Sequence, residues 1–270
     1  MKWNAIQDRV RGTLLGLAAG DRNGGPIRFA TRLAESLLDR DGFDPDDVRK
    51  RYAAWWREGA CDTGAVAALV LDKISKGVSP EEATLAADEE LGGRTAGCNP
   101  AHRCPPLAAA AFLSDRQLSA AAKTEAALTH RHPLAGEVSA AAVELCRAMI
   151  QGTSWRQATA LIRSRTSPWL SDALDPEAET PLRRDGFSPN VLRAAAWFLS
   201  RQSNFPDALN ASLDFAGPAN YCPVIVGSLA GARWGASAIP SDAFKDAETQ
   251  ALVGDLADRM AFAWNHRPPE

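Results

Sequence analysis

The sequence predicts a single all-α domain, and three observations support that fold class. Alanine occurs in nearly every segment, including the runs at 120–122 and 194–196. It is the best helix former because its side chain loses no conformational entropy. Runs of β-branched residues are scarce, which argues against an extended sheet. The 270 residues contain no internal repeat, low-complexity tract or long linker, so one domain over residues 1–270 is the simplest organisation.

Composition excludes several classes of function. Lys and Arg number 30 against 33 Asp and Glu, and no block of like charge stands out, so nucleic-acid binding through a basic patch is not predicted. No uncharged apolar stretch reaches bilayer length and residues 1–9 lack a signal-peptide core, so we expect no membrane span and no secretion. Five cysteines without a Cys-x-x-Cys pair favour reduced thiols, and hence a cytoplasmic protein.

Helical periodicity and capping residues predict the elements in order. The first helix covers residues 5–19, where Gly12 and Gly16 allow another helix to approach closely. Helix starts follow at Pro45 and at Ser79, which has Glu82 three residues on, as in a capping box. The other predicted helices share apolar periodicity and cover residues 63–73, 107–113, 120–128, 133–150, 155–163, 189–200, 205–214, a segment ending at 232, and 247–263. Loops are predicted at 20–26, 92–106 and 172–185.

Five short segments carry more information than the helical pattern. They are RGTLLGLAAGD from Arg11, CDT from Cys61, RCPPL from Arg103, THRHPLA from Thr129, and GSLAGARWG from Gly227 followed by Ile239-Pro240. In this order they resemble the motifs of the ADP-ribosylglycohydrolase family over about residues 8–245, and residues 246–270 add a helix and tail. The resemblance implies an orthogonal multi-helix domain that hydrolyses a glycosidic bond to ribose.

The sequence departs from the family pattern at its metal-binding positions. The resemblance implies two magnesium ions, which prefer carboxylate and hydroxyl oxygens. Where the family has Thr-Asp-Asp-Thr, residues 60–63 are Ala-Cys-Asp-Thr, and where it has Gly-Asp-x-Asp-Thr, residues 217–221 are Gly-Pro-Ala-Asn-Tyr. A loop glutamate is replaced by Arg28, whose charge repels cations. We therefore expect no dinuclear magnesium centre, with a single metal at Asp62 or a thiol-bound zinc as less favoured options.

Two residues are the candidates for catalysis. Asp62 is expected to act as general base or to stabilise an oxocarbenium-like centre, and Arg28 to bind a phosphate or another anion. The expected ligand is nucleotide-like or an ADP-ribosylated substrate. The residues predicted to bind it share the motif segments and the loops around them, and they are Asp21, Cys61, Thr63, Cys98, Asn99, His102, Arg103, Asn220 and Tyr221.

Three hypotheses for function follow. The protein is a hydrolase that acts without the metal pair, or a catalytically inactive protein that binds a ligand or partner, or an enzyme whose centre is rebuilt around Cys61 and Cys98 for zinc or nucleophilic chemistry. A polar, open pocket around Asp62, Arg28 and Asn220 would favour the first. Filling of that pocket by Tyr221 and Pro218 would favour the second. The oligomeric state is not predicted.

The candidates also have purely structural interpretations. Asp62 would cap the following helix, Asp21 would brace the glycine loop, and Arg103 would form a buried ion pair. Cys61 would pack as a small apolar side chain. Five further Cys and His residues are expected in the core or in a turn, and they are Cys104, Cys146, Cys222, His130 and His132.

Overall fold

The computed structural model describes residues 3–219 and 221–266, and the regular structure within them is helical. One isolated β-bridge joins Gly97 and Phe187. The α-helices, numbered in chain order, are α1 (Ala5–Gly20), α2 (Gly25–Arg40), α3 (Pro45–Arg57), α4 (Ala65–Ser75), α5 (Pro80–Glu90), α6 (Asn99–Arg103), α7 (Pro105–Ala109), α8 (Asp115–Ala127), α9 (Pro133–Ile150), α10 (Trp155–Arg163), α11 (Pro168–Ala173), α12 (Ser188–Arg201), α13 (Phe205–Ala216), α14 (Cys222–Trp234) and α15 (Ala247–Ala263). The predicted all-α fold class is confirmed.

Several helices begin where the sequence supplies a capping side chain. Ser79 precedes α5, and its hydroxyl accepts a hydrogen bond from the amide of Glu82 at 3.3 Å. Asp44 precedes α3 and accepts from the amides of Asp46 and Asp47. These side chains satisfy amide groups that have no partner within the helix. The starts predicted at Pro45 and Ser79 are therefore confirmed, each to within a residue.

The first helix packs backbone-to-backbone against the helix near the end of the chain. A Cβ atom added at Gly12 would collide with the carbonyl oxygen of Gly231, and one added at Gly16 would collide with that of Gly227. The predicted close approach to α1 is thus confirmed, and the helix that makes it is α14. Because α14 is buried along nearly its whole length and also packs against α9, α12 and α13, this contact lies at the centre of the core.

Several expectations about the elements are wrong. The loop predicted at 92–106 contains α6, and α7 begins within it at Pro105. The glycine loop ends earlier than predicted, because α2 begins at Gly25 after Gly24 adopts a left-handed conformation with φ of 94°. The helix predicted at 107–113 ends at Ala109 instead. The guanidinium of the buried Arg147 donates to the carbonyl oxygens of Ala110 at 2.7 Å and Leu113 at 3.1 Å, and so stabilises the non-helical turn.

The hydrophobic core draws on helices from both ends of the chain, including α1 and α15. A small satellite cluster of Val70, Ala83 and Ala87 lies between α4 and α5. No helix in the described part of the chain has the length and apolar character needed to cross a bilayer.

Candidate functional site

A pocket of about 240 Å³ brings five of the predicted site residues together. Four segments form it: the loop before α2, the loop before α4, helix α6 and the start of α14. Its lining residues are Asn23, Pro26, Asp62, Gly64, Cys98, Asn99, His102, Ala219 and Tyr221. Larger cavities of about 590, 410 and 410 Å³ lie beside Trp3, Lys123 and Thr84, but no predicted site residue lines any of them. The pocket at Asp62 is therefore the candidate site.

Asp62 lies in the loop before α4 with a constrained backbone. Its φ is 49°, in the left-handed region that aspartate tolerates better than most residues. The first residue of α2, Gly25, packs so closely against the Asp62 carbonyl group that any Cβ there would collide with it. The N-cap of α4 is Gly64, so the interpretation of Asp62 as a helix cap is wrong. The exposed side chain of Asp62 instead lines the pocket.

Asp21 has the bracing role, and it does not line the pocket. Its buried carboxylate accepts hydrogen bonds from the amides of Gly24 and Ile27, both at 2.8 Å, and of Asn23 at 3.0 Å. Three such bonds fix the loop between α1 and α2. Both of its oxygens accept from backbone amides, and the expectation that Asp21 also binds substrate stays a prediction.

Arg28 lies on the exposed surface of α2 and is not among the residues that line the pocket. Its guanidinium donates to the carbonyl oxygen of Gly24 at 3.2 Å, one helical turn back. Burial lowers the pKa of Arg32, and the nearby charge of Arg28 lowers that pKa further. The structure thus places Arg28 beside Arg32 and outside the lining of the pocket, and its expected role in catalysis stays a prediction.

His102 is a neutral hydrogen-bond donor in the wall of the pocket. Its Nε2 lies 2.5 Å from the carbonyl oxygen of Tyr221, and since a carbonyl only accepts, Nε2 holds the ring proton. Burial lowers the pKa of His102 to about 4. The bond ties α6 to the start of α14, where the Tyr221 ring lies 3.1 Å from the position of a Cβ on Gly186.

The five cysteines divide into one exposed thiol and four buried ones. Burial raises the pKa of Cys98 and of Cys222 to about 12, so both are thiols at neutral pH. Cys104 and Cys146 are buried as predicted. Cys61 is exposed, which contradicts its interpretation as a packed apolar side chain, because it lies in the loop between α3 and α4. Nor is it among the residues that line the pocket, so its predicted substrate contact is not supported.

Charged donors for a metal ion are few on the described wall of the pocket. Among residues 3–219 and 221–266, no three His, Cys, Asp or Glu side chains lie where they could share one metal ion. Asp62 is the one carboxylate on the described wall of the pocket. Two divalent ions need several charged oxygens. Asn220, the remaining predicted oxygen donor and substrate contact, lies outside the described residues.

Arg103 and Thr63 are buried and are not among the residues that line the pocket. Arg103 is fully buried and donates from Nε to Oε1 of Glu125 at 2.6 Å, while its Nη2 donates to the Thr129 hydroxyl at 2.9 Å. Its interpretation as a structural ion pair is confirmed, and its predicted direct contact with substrate is corrected. Thr63 is buried in the turn before α4 and does not line the pocket. Glu125 was not predicted from the sequence, because nothing near it in the alanine-rich helix α8 marks it as the partner of Arg103.

The fold and the pocket define an all-α domain whose site lies between loops that precede helices. The chain belongs to the ADP-ribosylglycohydrolase family, whose model, described as ADP-ribosylglycohydrolase, matches residues 2–269. This match confirms the resemblance seen in the motifs.

Three similar proteins illustrate the relationship. The chain is 25% identical over 301 residues to the ADP-ribosylarginine hydrolase Tri1 of Pseudomonas putida (strain GB-1), with 93% of this chain and 78% of that protein covered. It is 22% identical over 274 residues to the ADP-ribosyl-[dinitrogen reductase] glycohydrolase of Rhodospirillum rubrum, with 88% and 89% covered. A solved structure, an ADP-ribosylglycohydrolase-related protein complex, superposes with a TM-score of 0.75 at 28% identity, with 95% and 99% covered. The names of both relatives are consistent with a glycosidic-bond hydrolase.

Proposed function

We propose that this protein hydrolyses the N-glycosidic bond between ADP-ribose and a modified arginine side chain, and that it does so without a dinuclear magnesium centre. The observation that supports this is the open pocket in which Asp62 lies beside Asn99, His102 and Tyr221. Family membership supports the reaction class, and the relative named as an ADP-ribosylarginine hydrolase suggests the substrate.

The size of the pocket suggests how the ligand is held. Pockets that enclose a whole small molecule usually measure roughly 300–1,000 Å³. A volume of about 240 Å³ encloses only part of ADP-ribose. We infer that the ribose next to the scissile bond enters the pocket beside Asp62, while the remainder lies along the rim near the exposed ring of Tyr221.

One carboxylate is sufficient for this chemistry. Glycosidases commonly use two, one of which protonates the leaving group. A ribosylated guanidinium is already protonated, so the electron pair of the C1–N bond moves to nitrogen and neutral guanidine departs without an acid. Asp62 stabilises the cationic ribose and accepts the proton of the water that adds to C1. The guanidine then takes up a proton, so the net reaction consumes one water molecule.

The test compares the wild-type protein with Asp62→Asn on an ADP-ribosylated arginine peptide, with and without EDTA. We expect wild-type turnover to survive EDTA, and the variant to lose roughly 10²–10⁴-fold in kcat because the base and its charge are removed. Asp41→Asn is a matched control, since Asp41 is the other non-glycine residue of the described chain with positive φ, at 46°, and lies outside the pocket.

Each other outcome rejects part of the proposal. Turnover that depends on magnesium would reject the metal-independent mechanism. Binding of ADP-ribose without turnover would favour the inactive, ligand-binding alternative. Equal losses in Asp62→Asn and Asp41→Asn would show that the effect is not specific to the pocket.

A further inference from the structure

A buried charged network stands directly behind one wall of the pocket. The side chains of Arg103 on α6 and Glu125 on α8 are both 0% exposed and form an ion pair at 2.6 Å. The Tyr52 hydroxyl on α3 donates to the same carboxylate oxygen, Oε1, at 2.8 Å. Separating such a pair would leave a buried charge without a partner, which is strongly destabilising. The Arg103 guanidinium is therefore held in one position.

This guanidinium sets the orientation of a side chain that lines the pocket. Nη1 of Arg103 donates to Oδ1 of Asn99 at 2.8 Å. Arginine has donors only, so the amide of Asn99 must present its oxygen to Arg103. The amide nitrogen, Nδ2, is then the end that is left for other contacts. The orientation of the Asn99 amide is fixed because Arg103 can only donate, so the atom that faces it is the oxygen and not the similar-sized nitrogen.

The backbone opposite leaves this nitrogen uncovered. A Cβ atom on Gly64 would lie 3.9 Å from Nδ2 of Asn99, and Gly64 has no side chain to fill that space. The φ of Gly64 is 75°, a conformation that favours glycine. Asn99 and Gly64 both line the pocket. The wall therefore presents an N–H donor near the loop that carries Asp62.

We propose that Arg103, held by Glu125 and Tyr52, is a positioning residue that fixes Asn99 so that Nδ2 donates a hydrogen bond to an oxygen of bound ADP-ribose. This inference rests on the proposed function, since it takes ADP-ribose as the ligand of the pocket. It assigns the direct contact to Asn99 and an indirect role to the buried ion pair. The pocket thus recognises an acceptor at this position.

The test is a double-mutant cycle on ADP-ribose affinity, measured by titration calorimetry. Asn99→Ala and Arg103→Lys should each weaken binding by about 3- to 10-fold, the value of a typical hydrogen bond. The double variant should bind no more weakly than Asn99→Ala alone, because Arg103 acts through Asn99. Arg147→Lys is a matched control, since Arg147 is also buried but bonds to carbonyl groups around α7, away from the pocket. It should lower the melting temperature and leave the affinity unchanged.

Other outcomes overturn the inference. Additive losses in the double variant, or wild-type affinity in Arg103→Lys, would show that Arg103 does not act through Asn99. A loss of affinity in Arg147→Lys equal to that in Arg103→Lys would show a general effect of destabilisation. If Arg103→Lys does not fold, Tyr52→Phe takes its place in the cycle, because it removes one hydrogen bond to Glu125 and keeps the ring. A wild-type protein that binds no ADP-ribose would reject the proposed function and this inference together, whereas binding with an additive cycle rejects the inference alone.

Discussion

At the scale of single residues, His102 makes the stability of the folded protein depend on pH. Burial holds its pKa at about 4, against about 6.5 in an unfolded chain. Between these two values the unfolded chain binds a proton that the folded protein does not, so stability is fully present above pH 6.5 and is lost as the pH falls towards 4. We expect urea denaturation to show a loss of up to about 3 kcal/mol over this window.

The variant His102→Gln isolates that contribution. Glutamine can still donate to the Tyr221 carbonyl group but does not titrate, so the fall in stability below pH 6.5 should be smaller than in the wild-type protein. Burial also lowers the pKa of His130, so part of the pH dependence remains in the variant. An unchanged dependence in His102→Gln would contradict the assignment.

The position of Asp62 in the pocket follows from its motif, which lies directly before α4. Its role in catalysis stays a prediction. Arg28 and Arg103 were assigned to the site from their motifs, but the direction of each side chain depends on distant partners or on the helix face. Arg103 is held by Tyr52 and Glu125, which come from other helices and have no recognisable spacing relative to it.

At the scale of elements, the contact between α1 and α14 depends on the absence of side chains. We expect Gly16→Ala to destabilise the protein by about 3 kcal/mol or more, since its Cβ would collide with the carbonyl group of Gly227 and both helices would have to move. Thermal and urea denaturation measure the loss.

The matched control is Gly254→Ala in α15, where a Cβ would meet no atom within 4 Å. Alanine there should be neutral or stabilise the helix by up to ~1 kcal/mol, because it has the higher helix propensity. Equal losses in the two variants would show that steric contact is not the reason for Gly16.

The helices themselves were largely predictable, because capping residues and apolar spacing act locally. One exception has a non-local cause and another a local one. Helix α7 ends at Ala109 because the side chain of Arg147, from α9, binds the carbonyl groups of the following turn. The first two residues of α2, Gly25 and Pro26, were assigned to the loop at 20–26 because with Gly24 they resemble a turn, and no helix was predicted over the rest of α2.

At the scale of the whole molecule, thiol reactivity separates the surface from the core. Cys61 is exposed while the other four cysteines are buried, and burial raises the pKa of each of those four. The thiolate is the reactive form, so we expect a thiol reagent to modify one cysteine rapidly in the native protein and all five in denaturant.

Cys61→Ser should abolish the rapid modification of the native protein and leave four thiols that are modified in denaturant. Rapid modification of a second thiol in the native protein would contradict the packing of the core.

The family and the order of its motifs were evident from the sequence at this scale. The pocket was not, because its walls come from segments far apart in the chain whose distances only the folded structure gives.

The pairing of α1 with α14 also bears on how the protein is made. The first helix leaves the ribosome long before α14 has been synthesised. On the nascent chain its glycine-lined face therefore has no helix to pack against. Joining such distant segments is entropically costly and slow. Because Tyr221, directly before α14, also forms a wall of the pocket, a chain interrupted before that point has neither its central contact nor a complete pocket. We expect activity only once synthesis has passed α14.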